Sequence, residues 1–472
     1  MCQCPGAAGA ATVACCYDSF VRVRIVAAAA LIAAIALTGC VKYHARPLDP
    51  PRSEQLFRAR SLEDPGLRAF LNRANWPPAR LGPNDLAAVA LYNNPDLDVA
   101  RAQLRTAQAA ILTARARPNP SLSVGAGWES SPESPLVFHF DPALTLETAG
   151  KRGWRILQSE KLAEAARVRV AEAAWRVRSR VRAAWVDYVM ALRSLDVLRG
   201  EREVRGEMAA ILETRLSVGE AARPDVQVAR TALISVEVET RAAETSVGEA
   251  AAALASAAGL PSLPAIDTGP PPAPPAALPL AGVQKAGILN RADIRRSLLE
   301  YAAAEAGLRL EIANQYPDID LSPGYGFDEG HHKITFGPAF KIPLFNRNRG
   351  PIAEAEARRA EAETRFDALQ AQAIGEMEIA LARYNGALKE LADAEQRLVR
   401  IQQTRESAMR RAVQAGEEDR LALAGVRVEG AVAARARLEA LRRVESARGA
   451  LEDAVQQSLE PGPALPDPET KP

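Results

Sequence analysis

Two stretches late in the chain alternate apolar with polar or small residues one for one. After Pro317 the apolar positions are Ile319, Leu321, Pro323, Tyr325 and Phe327, with Asp318, Asp320, Ser322, Gly324 and Gly326 between them. Ile334, Phe336, Pro338, Phe340, Ile342 and Leu344 then alternate with Thr335, Gly337, Ala339 and Lys341. Successive side chains of a strand point to opposite faces, so each stretch is a strand with one apolar side. Runs of about ten residues with aromatics on that side and small or charged residues opposite are the pattern of a transmembrane β-strand. Leu122, Val124, Ala126 and Trp128, then Phe138, Phe140, Leu144 and Leu146, repeat the pattern more weakly, and the polar stretches Glu129 to Pro135 and Asp328 to Lys333 are the expected hairpin tips. A soluble hairpin laid on helices competes for any single pair; duplication in an exported chain argues against it. Four strands cannot close a barrel, and open strand edges are not viable in lipid. A chain built this way must associate with copies of itself.

The duplication extends beyond the strands. Asp96-Leu97 matches Asp293-Ile294, Pro120 matches Pro317, Leu122 matches Ile319 and Gly219-Glu220 matches Gly416-Glu417, each 197 residues apart. Matches at a helix start, a helix end and a later turn indicate two structural repeats. Each half reads as a helix (near Asp85 to Arg117, and Leu280 to Gln315), two strands, a very long helix, a Gly turn and a returning helix. The long helices are expected over about Lys151 to Ser217 and Pro351 to Gln414, each on the order of 100 Å at 1.5 Å per residue. Ala166, Val170, Ala173, Val177, Val181, Ala184, Tyr188, Ala191, Leu195 and Leu198 fall at spacings of three and four, a coiled-coil seam. Most Arg and Glu on the other faces read as solvated, with helical ion pairs worth a few tenths of a kcal/mol each.

At the other end of the chain, Arg22 and Arg24 precede an apolar run, Ile25 to Leu37, that is too short to span a bilayer and fits a signal-peptide core. It closes in Leu37-Thr38-Gly39-Cys40, which resembles a bacterial lipobox, with an ordinary secretory signal as the alternative. Residues before about Val21 fit no signal-peptide logic and read as a start codon placed too early. All five cysteines lie at or before Cys40, so the mature chain keeps one, the lipidated residue. The organisation expected is a signal peptide over 1–39, a lipid-anchored segment over 40–80, a first repeat over 81–258, a Pro-rich connector over 259–282, a second repeat over 283–458 and a Pro-rich tail over 459–472.

Composition excludes several functions. With 59 Lys and Arg against 58 Asp and Glu and no basic stripe interleaved with aromatics, the chain is not a nucleic-acid binder. No nucleophile, base and orienting partner assemble in either repeat, and Gly-rich phosphate loops are absent, so no enzyme and no cofactor are expected. His331-His332 beside Asp328 and Glu329 has donors suited to a divalent metal, but such pairs in exposed loops are ordinarily just hydrophilic, and no metal site is assigned.

Two β-hairpins alternating with long coiled-coil helices in tandem, behind a lipobox, resemble the TolC-like outer-membrane factor family over roughly residues 80 to 458. The stretches Leu146 to Arg152 and Ile342 to Gly350 are similar to that family's strand-to-helix junctions, where basic residues meet the membrane boundary. The resemblance implies a mainly α fold with a small β part. It implies a homotrimer forming a 12-stranded transmembrane β-barrel continued by an α-helical periplasmic tunnel. It also implies a periplasmic adaptor (membrane fusion) protein and an inner-membrane pump of the resistance-nodulation-division type as partners. Residues Arg215 to Asp225 resemble the family's helical-tip motif, with Arg215, Leu216, Ser217, Gly219 and Asp225 matching, and Gly416 keeps the turn in the second copy. By resemblance these residues dock the adaptor. The second tip departs from the motif with Glu417, Glu418 and Asp419, which either ring the pore mouth or are solvated helix-end charges.

The implied function is that of an outer-membrane channel passing substrate delivered by the pump. Glu147-Thr148-Ala149-Gly150-Lys151-Arg152 is similar to the heavy-metal cation-efflux branch; drug efflux and type I protein secretion stay open, and a non-channel coiled-coil adaptor or structural lipoprotein is the rival from another class.

Overall fold

The computed structural model describes residues 41–73, 82–128, 136–264, 266, 282, 287–288, 290–328, 331–459 and 466–469. Cys40, the first hairpin tip and most of the Pro-rich connector lie outside them. The chain divides into two units at Leu56. In the first, no helix or strand precedes Asp49 among the described residues, and its carboxylate accepts from Arg52 N–H (3.1 Å) at the start of α1 (Pro50–Arg58).

The second unit holds α2 (Pro65–Arg73), α3 (Pro83–Asn93), α4 (Pro95–Arg115), β1 (Ser121–Trp128), β2 (Leu136–Leu146), α5 (Lys151–Ser217) and α6 (Arg223–Ala258). The second repeat follows as α7 (Ala292–Ala313), β3 (Ile319–Asp328), β4 (His331–Phe340), α8 (Arg349–Asp393), a π-helical turn (Ala394–Val399), α9 (Arg400–Gln414) and α10 (Arg420–Val455). No helix among the described residues is long and apolar enough to cross a membrane.

Helix α5 is the spine. It packs against α4, α6, α7 and α10, while α8 packs against α7 and α10. The seam read from its sequence is its inward stripe: Ala166, Val170, Ala173, Val177, Val181, Leu195 and Leu198 are buried, and Ala184, Tyr188 and Ala191 half-buried. The core is duplicated as the chain is. One cluster joins Leu86, Leu97, Val170 and Leu254, and the other joins Met190, Met377, Tyr384 and Leu451. Leu254 and Leu451, 197 residues apart, are both fully buried.

Local chemistry overrides the sequence pattern in four places. The first expected helix is two, because Pro95 cannot continue a helix and Asn94, in extended conformation, caps α4 by accepting from Asp96 N–H at 2.9 Å. The helix expected from Leu280 is continuous only from Ala292. Arg291, the residue 197 beyond Asn94, is extended there, and its guanidinium is held by Asp293 and Glu376 (2.6 and 2.7 Å). The second long helix starts at Arg349, after a left-handed Asn348, and is interrupted by the π-helical turn. The second hairpin tip is shorter than expected. Lys333 pairs with Asp328 at 2.6 Å and the Tyr325 hydroxyl bonds His332 Nδ1 at 2.7 Å, which carries the ladder to Asp328 and His331.

The Arg and Glu residues read as solvated include a built seam between the repeats. Arg215–Asp419, Arg427–Glu207, Arg435–Glu201, Arg182–Glu445 and Arg178–Glu452 join α5 to α10 in antiparallel order. Burial grades along it. Arg178, Arg182, Glu445 and Glu452 are buried, Glu201 is buried beside a more exposed Arg435, and the two pairs nearest the Gly turns stand at the surface. The Arg178–Glu452 pair is 2.9 Å long, and Arg178 also donates to Ser458 Oγ.

Breaking a buried pair leaves a charge without its partner, at about 3–5 kcal/mol, while an exposed pair is worth at most about 1 kcal/mol. Glu452→Ala is therefore expected to lower the denaturation midpoint strongly and Glu207→Ala, at the exposed Arg427–Glu207 pair, only slightly. Equal losses would show that the seam is not graded.

Candidate functional site

The four strands form one antiparallel sheet in the order β1-β2-β3-β4, so the hairpins of the two repeats join through β2 and β3. Its register sorts the side chains into two faces. Across one row stand Val124, Phe140, Tyr325 and Ile334, and across the next Leu122, Pro142, Pro323 and Phe336. Leu144, Leu321 and Pro338 form another row, then Leu146, Ile319 and Phe340. Leu122, Val124, Trp128, Phe140, Leu144, Leu146, Ile319, Tyr325, Ile334, Phe336 and Phe340 are all exposed. An apolar surface of this extent on a water-facing sheet would be an aggregation hazard; against acyl chains it is stable.

The other face carries His139, Asp141, Thr145, Asp320, Lys333 and Thr335 among glycines. The His139 ring lies over Gly125 and fills the space that a Cβ there would take, so a side chain at 125 would displace the ring. Asp320 accepts from the Thr145 hydroxyl at 2.6 Å. One expected feature differs: β4 ends at Phe340, and Ile342 and Leu344 continue its alternation outside the strand.

Below the sheet the basic residues of the junction are taken up by the protein itself. Lys151, buried, pairs with Asp318 at 2.7 Å, and Thr148 donates its N–H to the same carboxylate and its hydroxyl to Pro317 O. Arg152 and Arg155 donate to the carbonyls of Arg115 and Ala114, satisfying groups that the end of α4 leaves open. This latch ties the first repeat's helix to the second repeat's strand. Among the described residues no group of three or more His, Cys, Asp and Glu is placed to hold a metal ion. His332 and Asp328 instead contact Tyr325 and Lys333.

At the far end of the long helices the two Gly turns have one geometry. Gly219 (φ +81°) and Gly416 (φ +78°) take the left-handed conformation. Glu220 N–H donates to Arg215 O (2.7 Å) and Glu417 N–H to Ala412 O (2.9 Å), while the glycine N–H groups donate to Leu216 O and Val413 O. Both are Schellman closures, offset by 197 residues in every partner. Arg215, Leu216 and Ser217 form the last turn of α5, and Asp225 lies in the first turn of α6, where a carboxylate suits the positive end of the helix dipole. Glu417 and Glu418 are exposed. Asp419 caps α10 by accepting from Ala422 N–H at 2.8 Å and pairs with Arg215 at 2.8 Å, so the structure brings a residue of the first tip against one of the second.

A profile described as Outer membrane efflux protein matches residues 86–260 and 285–457, one segment per repeat. The chain belongs to this family. It is therefore an outer-membrane efflux channel component, a transporter and not an enzyme. The cobalt-zinc-cadmium resistance protein CzcC of Cupriavidus metallidurans is 25% identical over 294 residues, 59% of this chain and 68% of that protein. Among solved structures, the outer membrane protein VceC of Vibrio cholerae superposes with a TM-score of 0.64 at 22% identity, over 80% of this chain and 97% of that one. CusC superposes with a TM-score of 0.61 at 19% identity, over 80% and 90%. These structures share the fold.

The seam residues Arg178, Arg182, Glu445 and Glu452 were the ones that sequence reasoning missed. Their signal was spacing: Arg178 and Arg182 are four apart, and Glu445, Arg448 and Glu452 are three and four apart, each set on one helix face.

The Arg215 hydrogen bond, followed by the Ala422 N–H, holds the Asp419 carboxyl below its ordinary range. A carboxyl so depressed contributes stability that is complete above the unfolded value of about 3.9 and disappears as pH falls through the lower folded value. Amide protection over 417–423 is expected to drop on acidification below about pH 4 in the natural chain but not in Asp419→Asn, which keeps the cap and lacks the charge. The same drop in both proteins would remove this pair from the tip's pH response.

Proposed function

We propose that three copies of this chain close a 12-stranded barrel with the apolar sheet face against lipid, and that their long helices continue it as a periplasmic tunnel. What supports this reading is the combination of an exposed sheet face that is apolar in every row below His332 with unpaired edges at β1 and β4, which neither water nor lipid tolerates in a single chain. In this reading 1–39 is cleaved and Cys40 carries the lipid anchor. The repeats over 81–258 and 283–458 build wall and tunnel, joined by the 259–282 connector. A periplasmic adaptor docks at Arg215, Leu216, Ser217, Gly219, Asp225 and Gly416, and an inner-membrane pump of the resistance-nodulation-division type supplies the energy.

The cargo we infer is divalent heavy-metal cations, on the likeness to CzcC. Glu417 and Glu418 stand at the tip as charges that would attract them. Opening is a shift of the tip helices. The graded seam makes the tip the soft end, because its surface pairs separate at little cost while the buried pairs keep the repeats joined.

Two measurements test this. Loss of the gene should raise cellular zinc, cobalt or cadmium and lower tolerance to them; unchanged tolerance would sink the metal cargo, leaving the channel to be judged by conductance of the purified protein in planar bilayers. Gly219→Pro, at a φ of +81° with a donating N–H, cannot keep the Schellman closure. Cross-linking to the adaptor and efflux are expected to be lost while the assembled oligomer persists, and retention of both would reject the tip as the docking site.

A further inference from the structure

The offsets of shared landmarks carry each strand of the first repeat onto one of the second, so the seam inside the chain is a template for the seam between chains. Asn94 and Arg291, the caps of α4 and α7, are 197 residues apart, as are Pro120 and Pro317 before β1 and β3. Gly150 and Asn348, the caps of α5 and α8 after β2 and β4, are 198 apart. These two shifts also convert the β1–β2 register into the β3–β4 register: Ser121↔Ala143 becomes Asp318 facing Lys341, one step beyond the observed Ile319↔Phe340. Parity agrees, because apolar residues are even-numbered in β1, β2 and β4 and odd-numbered in β3.

We propose that, in the trimeric barrel on which this inference rests, β4 is extended through Leu344 and pairs with β1 of the next copy, Ile342 opposite the partner's Val124 and Leu344 opposite the partner's Leu122. The pairing is the image of Leu144↔Leu321 and Leu146↔Ile319 in the β2–β3 ladder. It also sets Phe340 opposite the partner's Ala126 and Pro338 opposite the partner's Trp128, apolar against apolar in every row. A one-residue slip would turn the whole edge to the wrong face.

Exposure fits an edge awaiting its neighbour. Ile342 and Leu344 are 67% and 71% exposed, against 45% and 43% for Leu144 and Leu146, their counterparts at the completed seam. In the single chain Leu344 N–H turns back to Ile342 O at 2.9 Å. Pairing frees it to donate across the seam.

The prolines show which pairs of the ladder are hydrogen-bonded. Antiparallel ladders alternate hydrogen-bonded and non-hydrogen-bonded pairs. Residues 141–143 and 322–324 drop out of the β2–β3 ladder with one register on both sides, and Pro142 faces Pro323 at the centre. That pair is of the hydrogen-bonded kind with both donors missing. Leu144↔Leu321 and Leu146↔Ile319, two and four residues on, are of the same kind, and so are their images. Pro343 then falls at a non-hydrogen-bonded position opposite the partner's Ser123, where its missing N–H leaves no bond unmade, whereas Pro338, at a hydrogen-bonded position opposite the partner's Trp128, leaves one donor missing as Pro142 and Pro323 do inside the chain.

The test is oxidative cross-linking of the full-length protein in isolated membranes. All natural cysteines lie at or before position 40, and the unsubstituted chain gives the background. Val124→Cys with Ile342→Cys, and independently Leu122→Cys with Leu344→Cys, are expected to give covalent chains of two and three subunits. The offset pairs Leu122→Cys with Ile342→Cys, and Val124→Cys with Leu344→Cys, are expected to give on the order of tenfold less, since diagonal neighbours sit at about 7–8 Å and exceed disulfide reach. Stronger linkage in an offset pair, or native trimers that no pair links, would overturn the register and leave the trimer standing. Single chains by native mass with no linkage in any pair would overturn both.

Discussion

A sheet whose large apolar side chains are exposed along one whole face can persist only against something other than water. That constraint orders the rest of the molecule. In the proposed barrel that face meets lipid, the opposite side carries His139, Asp141, Asp320 and Lys333 over glycines, and the unpaired edges of β1 and β4 leave the wall to be completed by other copies. Membership in the outer membrane efflux protein family gives this arrangement its use, because a two-faced wall is what a polar solute needs to pass a bilayer.

The helices solve a different problem. A column built on α5 spans 67 residues and must stay registered against its neighbours over that length. Alanine-rich apolar stripes bring helices close but specify axial position weakly, since one small residue resembles the next. Charged pairs specify it more strongly, because each Arg must meet carboxylates at one level of the neighbouring helices. The α5–α10 seam supplies such markers from Arg178–Glu452 to Arg215–Asp419. Because desolvation makes the buried pairs costly to break and leaves the exposed ones nearly free, the seam anchors one end of the column and releases the other.

The sequence showed the parts whose signal is periodic. Strand faces followed from alternation, the span Lys151–Ser217 from its seam and its Gly turn, and the duplication from shared landmarks. What it hid was decided by partners far away in the chain. Arg178 reads like any solvated arginine until Glu452, 274 residues on, is placed beside it. The left-handed Gln456 stands where the first repeat has Gly259, and its side-chain Oε1 accepts from Ala292 N–H at 2.7 Å, an exchange that no local pattern announces. The break at Asn94–Pro95 is local, a proline behind a capping Asn, within a span that the repeat pattern alone presents as one helix. The roles of Cys40 and of the tip residues rest on resemblance, since geometry alone does not say what docks.

The end of β4 belongs to a third class, where neither local pattern nor intrachain partner decides. Its alternation runs to Leu344, yet the strand stops at Phe340. Leu146 holds its place in β2 because β3 lies beside it; Leu344 has no such neighbour in one chain. The two seams of the proposed barrel are also unequal at their base. Inside the chain Asp318 receives Lys151 and Thr148, but the residue 197 before Asp318 is Ser121 and the one 198 after Lys151 is Arg349. The carboxylate that latches the inner seam has no counterpart at the outer one. Each chain thus carries its own two hairpins as a latched unit, and in the proposed barrel the seam between chains would lack this latch, because Ser121 stands where the image of Asp318 would be.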